Sequence, residues 1–83
     1  MPRHNCHLIE ARLRRAEQRL TQIHTNINIH EQYLRTHPGH QPTIALLAEL
    51  RQLEKQQERE VSDLKSELAD CEAQNDMDRE KGD

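Results

Sequence analysis

The chain has 83 residues and a formal net charge of −3, and Tyr33 is its only aromatic residue. Hydrophobic residues make up 33% of the chain and charged residues another 33%. This composition disfavours a compact globular core, which needs many bulky apolar side chains. It fits a helical coiled coil, because that fold needs only a narrow apolar row on each helix.

The first predicted element is a helix over residues 6–36, after a frayed segment at residues 1–5. Asn5 is placed to cap this helix through its side-chain oxygen. Apolar or near-apolar residues then recur at alternating steps of three and four, as the a and d positions of a heptad repeat do. We call the row of residues that faces the other helix the seam. In the first helix it comprises Cys6, Ile9, Leu13, Ala16, Leu20, Ile23, Ile27, His30 and Leu34.

A predicted loop at residues 37–42 follows, marked by Pro38, Gly39 and Pro42. Thr43 is expected to cap a second helix over residues 43–74. A loop this short joins antiparallel neighbours. The seam assigned to the second helix contains two consecutive steps of four at Gln57, a stutter that locally unwinds a supercoil. This assigned seam comprises Leu46, Leu50, Leu53, Gln57, Val61, Leu64, Leu68 and Cys71. Residues 75–83 have no apolar period and are predicted to be a disordered acidic tail.

Charge supports the same fold. Residues 1–37 carry six arginines and three glutamates, a balance of +3, whereas residues 43–83 carry six basic and twelve acidic residues, a balance of −6. Opposite charges suit two helices that lie on each other. The predicted fold class is therefore all-α, an antiparallel two-helix hairpin of coiled-coil type.

The hairpin is expected to dimerise into a four-helix bundle, because small scaffolds are marginally stable unless they associate. Apolar residues off the seam and near the loop are the predicted interface with a second copy or a larger protein. The alternative is that they only cover the loop of their own hairpin. They are Ile29, Tyr33, Ile44 and Leu47.

Arg12, Arg15 and Arg19 share one helical face, which is a candidate nucleic-acid contact because arginines neutralise phosphates. No stacking aromatic set or known DNA-binding pattern accompanies them. We therefore favour the alternative, in which they are solvated or pair with acidic residues of the second helix. Those residues are Glu60, Asp63, Glu67 and Asp70.

His30 and the cysteines are the remaining candidates for chemistry. His30 is either a tolerated polar seam residue or a pH switch, since its protonation would put charge between the helices. Cys6 and Cys71 are expected at the same end of the hairpin, either as reduced thiols or as a disulfide. His4 and His7 lie near Cys6, but the spacing matches no zinc motif, so we predict no metal site and no cofactor.

No nucleophile set, phosphate loop or substrate pocket is visible, so we expect no enzyme and no small-molecule substrate. The predicted function is protein–protein interaction, as a small helical adaptor, assembly factor or inhibitor. The alternatives are a nucleic-acid-binding or regulatory dimer and a structural subunit of a larger coiled-coil complex. No apolar run approaches the ~20 residues of a membrane span. Without a start that resembles a secretory signal, the expected location is cytoplasmic.

Overall fold

Two α-helices joined by a short turn form the computed structural model, which describes the backbone of residues 5–81 and the side chains of residues 5–75. Helix α1 spans Cys6–Thr36 and helix α2 spans Gln41–Lys81. The two helices run antiparallel and pack against each other as a rod of 66 × 14 × 14 Å. The predicted helical hairpin is confirmed. Within the described residues, neither helix is long and apolar enough to cross a bilayer.

Helix α1 begins and ends at the predicted residues. The side-chain oxygen of Asn5 accepts a hydrogen bond from the backbone N–H of His7 at 3.2 Å. This bond satisfies one of the free N–H groups of the first turn. Arg35 lies in the last turn, where a positive charge complements the helix dipole. The interior contains no Gly or Pro, so nothing interrupts the helix before Pro38.

The turn is shorter than predicted and occupies residues 37–40. The backbone N–H of His40 donates to the carbonyl of His37, and that of Ile44 donates to the carbonyl of His40, both at 3.1 Å. Pro42 lies in the first turn of α2, where a missing N–H costs no helical bond. Thr43 is therefore inside the helix rather than at its cap, and it is buried.

Replacing Gly39 with alanine is expected to raise the free energy of unfolding by about 0.4–1 kcal/mol. The backbone of Gly39 does not adopt a positive φ, and an added Cβ would meet no atom within 4 Å. Alanine therefore fits the turn and reduces the entropy of the unfolded chain. Urea unfolding of the wild type and the variant measures the change. A loss of stability would contradict the conformation described for this turn.

Helix α2 extends to Lys81, beyond the predicted end at residue 74. Residues 75–81, predicted as part of a disordered tail, continue the helix in this structure. They contain no Gly or Pro, and Gly82 is the first helix-breaking residue in the sequence after Pro42. Residues 82–83 of the predicted tail and residues 1–4 of the predicted frayed segment lie outside the described residues.

The seam of α1 is as predicted, since all nine of its residues are buried or half-buried. The seam assigned to α2 is wrong over its first half. Leu47 takes the place of Leu46, and Glu54 takes the place of Leu53. The observed steps alternate between four and three throughout, so the stutter at Gln57 is absent. The observed seam of α2 comprises Thr43, Leu47, Leu50, Glu54, Gln57, Val61, Leu64, Leu68, Cys71 and Asn75.

Polar residues are tolerated in this seam because each has a hydrogen-bond partner. Glu54 Oε2 lies 3.0 Å from His24 Nε2. The amide of Gln57 donates to the backbone carbonyl of Ala16 at 3.1 Å. No buried side-chain nitrogen or oxygen in the described part of the chain lacks a partner. Burying a polar group costs little free energy when it is hydrogen-bonded. The uninterrupted heptad is therefore adopted, although it leaves Leu46 and Leu53 exposed.

The apolar core consists of two clusters on either side of the polar layer formed by Glu54 and Gln57. The cluster towards the chain termini is centred on buried Ala16, Val61 and Leu64, with Ile9, Leu13 and Leu20 packed around them. The cluster towards the turn is centred on Ile27, Leu47 and Leu50, with Ile23 and Leu34 packed around them.

Cys6 and Cys71 form a disulfide at the end of the hairpin opposite the turn, with their Cα atoms 5.9 Å apart. The expectation of reduced thiols does not describe this structure. The physical reason is the seam itself, which places both residues at facing positions. The hairpin is thereby closed covalently at one end and by the turn at the other.

Candidate interaction face

Four exposed apolar residues of the turn half lie on one face of the hairpin. Tyr33, Leu46 and Leu53 each directly precede a seam residue, so they occupy the same flank of their helices. In an antiparallel pair the equivalent flanks of the two helices meet on one face. Ile29 lies one turn from Tyr33, on the same side of α1. We call Ile29, Tyr33, Leu46 and Leu53 the apolar patch, and the face that carries them the patch face.

The patch residues are substantially accessible. Ile29 is 55% exposed, Tyr33 41%, Leu46 38% and Leu53 48%. Single exposed apolar residues are ordinary on protein surfaces, whereas a contiguous group indicates an interaction site. Leu8, which is 65% exposed, also precedes a seam residue and lies on the patch face, but it is near the other end of α1, one turn from Arg12.

The predicted interface residues divide into three groups. Ile29 and Tyr33 are in the patch. Ile44 is 39% exposed, but it directly follows a seam residue and therefore lies on the opposite face. Leu47 is only 6% exposed, because it packs in the seam against Ile27 of its own hairpin. Its assignment to the surface is corrected for that reason, whereas Leu46 and Leu53, predicted as seam residues, are exposed and belong to the patch.

Tyr33 also contributes to the packing of the turn. Its ring stacks on His37 with centroids 4.2 Å apart, and it meets the edge of His40 at 5.3 Å. These contacts hold the ring at the margin of the patch, where it covers part of the turn. Tyr33 is therefore both a candidate contact and a structural residue, which makes it a poor choice for testing binding by substitution.

The opposite face carries polar pairs that bridge the two helices. Arg51 and Glu31 form an ion pair, with Arg51 Nη2 3.4 Å from Glu31 Oε1, and His24 Nε2 lies 3.0 Å from Glu54 Oε2. On this face the polar side chains of the two helices are thus partly paired within the chain, and Ile44 is its exposed apolar residue in the turn half among the residues described.

Charged rows occupy the half of the patch face nearer to the disulfide. Arg12 and Arg19 directly precede seam residues of α1, and Arg15 lies one turn from each of them. Among the residues that the structure describes, none of these arginines has a carboxylate oxygen within 4.0 Å. Their predicted pairing with α2 is thus not formed, and nucleic-acid contact by this row stays a prediction. The facing row on α2 is exposed and acidic, and comprises Glu60, Asp63, Glu67 and Asp70.

His30 is half-buried in the seam, where its Nδ1 lies 2.7 Å from the backbone carbonyl of Asn26 and donates to it. Its role as a pH switch stays a prediction. Within the described part of the chain, no group of three or more His, Cys, Asp or Glu side chains is placed to hold a metal ion. His4, one member of the cluster considered from the sequence, lies outside the described residues.

Comparison with protein-family models, with curated proteins and with solved structures finds no match to this chain.

Proposed function

We propose that this protein is a non-enzymatic protein-binding module that associates through its patch face. The observation that carries the proposal is the exposure of the apolar patch on one face of the hairpin, outside the buried seam. A two-helix layer covers only one side of each helix. Burying the patch under another helical layer would remove its apolar area from water, at about 25 cal/mol per Å².

The first partner is a second copy of the chain, and the product is a four-helix bundle. A larger protein of unknown identity is the second partner, and it would use the same patch as an adaptor, assembly factor or inhibitor surface. Both interactions depend on the same apolar residues, so one set of variants tests both. A cytoplasmic location was predicted from the sequence. The Cys6–Cys71 disulfide supports an oxidising compartment instead, because thiols stay reduced in most cytosols.

Replacing Leu53 with aspartate is expected to abolish self-association, whereas replacing Ile44 with aspartate leaves it unchanged. Leu53 and Ile44 are both exposed aliphatic residues of α2, so the two substitutions are similar in chemistry and differ in the face that they change. Sedimentation equilibrium over a range of protein concentrations measures the dimer. Circular dichroism establishes that both variants keep the helical signal.

Affinity capture from the native host with the same two variants tests the larger partner. A protein retained by the wild type and by Ile44→Asp, and lost with Leu53→Asp, supports binding through the patch. If the wild type is monomeric and the three proteins capture the same set of partners, the proposal is wrong.

A further inference from the structure

We infer that two copies dock patch face to patch face with their turns at the same end, so that the arginine row of each copy lies on the acidic row of the other. This inference rests on the proposed homodimer and specifies its geometry. The arginine row is Arg12, Arg15 and Arg19, and the acidic row is Glu60, Asp63, Glu67 and Asp70.

Over residues 5–75, charges are paired within the chain on the opposite face but not on the patch face. On the opposite face, Glu31 and Arg51 of the same chain approach to 3.4 Å. On the patch face, the arginine row and the acidic row are both exposed, and no pair within the described residues comes within 4.0 Å. The patch face therefore presents two exposed rows of opposite charge beside an apolar patch, and of the acidic row Glu60 also accepts a hydrogen bond from the amide of Gln57 at 2.9 Å.

The arginine row and the acidic row occupy overlapping positions along the length of the rod. The disulfide between Cys6 and Cys71 and the buried cluster of Ile27, Leu47 and Leu50 align the helices at two points. Between those points, Arg15 lies level with Asp63. Both residues sit on the outer part of the patch face, away from the seam, where a chain docked on this face would contact them.

Two-fold symmetry relates the copies of a homodimer. A two-fold axis parallel to the rod stacks α1 of one copy on α2 of the other and keeps the turns at one end. It places the apolar patch on the partner's patch, and each arginine row on the partner's acidic row. The alternative, with the turns at opposite ends, places the arginine row on the partner's apolar patch. That arrangement desolvates charges without compensation, which is strongly unfavourable.

The test uses opposite charge reversals at the outermost level pair. Arg15→Glu and Asp63→Arg are each expected to weaken the homodimer by about tenfold, because the symmetry repeats the unfavourable contact twice. An equimolar mixture of the two variants should form a heterodimer about as tight as the wild-type dimer, since every contact is then again between opposite charges. Arg14→Glu is the matched control, because Arg14 is adjacent in sequence and belongs to the opposite face.

Sedimentation equilibrium and native mass spectrometry of the variants and of their mixture distinguish the outcomes. Rescue in the mixture supports the docking geometry. If Leu53→Asp dissociates the dimer while Arg15→Glu, Asp63→Arg and their mixture behave as the wild type, the homodimer stands and this geometry is wrong. If Arg15→Glu removes retention on heparin at physiological salt and leaves the dimer unchanged, the arginine row serves nucleic acid and the inference fails. A monomeric wild type overturns this inference and the homodimer on which it rests, whereas binding of a larger protein through the patch is tested separately by the capture experiment.

Discussion

Removing the Cys6–Cys71 disulfide is expected to lower the free energy of unfolding by about 4 kcal/mol. The bond closes a loop with a sequence separation of 65 residues, so it removes many conformations from the unfolded chain. It also lies at the end of the hairpin where the helices have no turn to hold them together. Since domain stabilities are about 5–15 kcal/mol, a loss of this size would leave a hairpin of this length marginally stable.

Urea unfolding in the presence and absence of a reductant measures this contribution, at one protein concentration because association also stabilises the fold. The double variant Cys6→Ser/Cys71→Ser is the control. It should match the reduced wild type and should not respond to the reductant. Equal unfolding midpoints for the oxidised and reduced wild type would contradict the role given to this bond.

Leu47→Ala is expected to destabilise the hairpin by about 2–4 kcal/mol, whereas Leu46→Ala should cost less than about 1 kcal/mol. Leu47 is 6% exposed and belongs to the core cluster with Ile27 and Leu50, so its truncation leaves a cavity. Leu46 is 38% exposed and has no position in that cluster. The two substitutions are identical in chemistry and helix propensity, and they differ only in which leucine faces α1.

Thermal unfolding of both variants, at a concentration where the protein is monomeric, decides between the two seams. Dilution matters because Leu46 belongs to the patch, and its loss would otherwise also weaken the dimer. If Leu46→Ala proved the more harmful substitution, the seam with a stutter at Gln57 would be correct and the observed heptad would be wrong.

The heptad of α1 was predictable because its seam is almost purely apolar. Steps of three and four run without exception from Cys6 to Leu34, so only one helical face fits. The caps were equally local, since Asn5 and Pro38 act on neighbouring backbone groups. The turn was located correctly for the same reason, although α2 begins before Thr43 because Pro42 is compatible with a first helical turn.

The first half of α2 was not predictable from apolarity, because Leu46, Leu47, Leu50 and Leu53 support two different seams. An uninterrupted heptad counted back from Cys71 gives the observed one, but it requires Thr43 and Glu54 to face the other helix. Placing these two polar residues between the helices is unfavourable unless each has a hydrogen-bond partner. Glu54 Oε2 lies 3.0 Å from His24 Nε2, and His40 Nδ1 lies 2.7 Å from the hydroxyl of Thr43.

The sequence by itself determined the elements of this protein: two amphipathic helices, the turn between them and the charge of each half. These features follow from local periodicity and from backbone restrictions, which act within a few residues. Only the tertiary structure decided which leucines are buried, that the cysteines are bonded, and which apolar residues share a face. The reason is that these properties depend on how one helix is rotated against the other, and that rotation is set by polar contacts between residues distant in the chain.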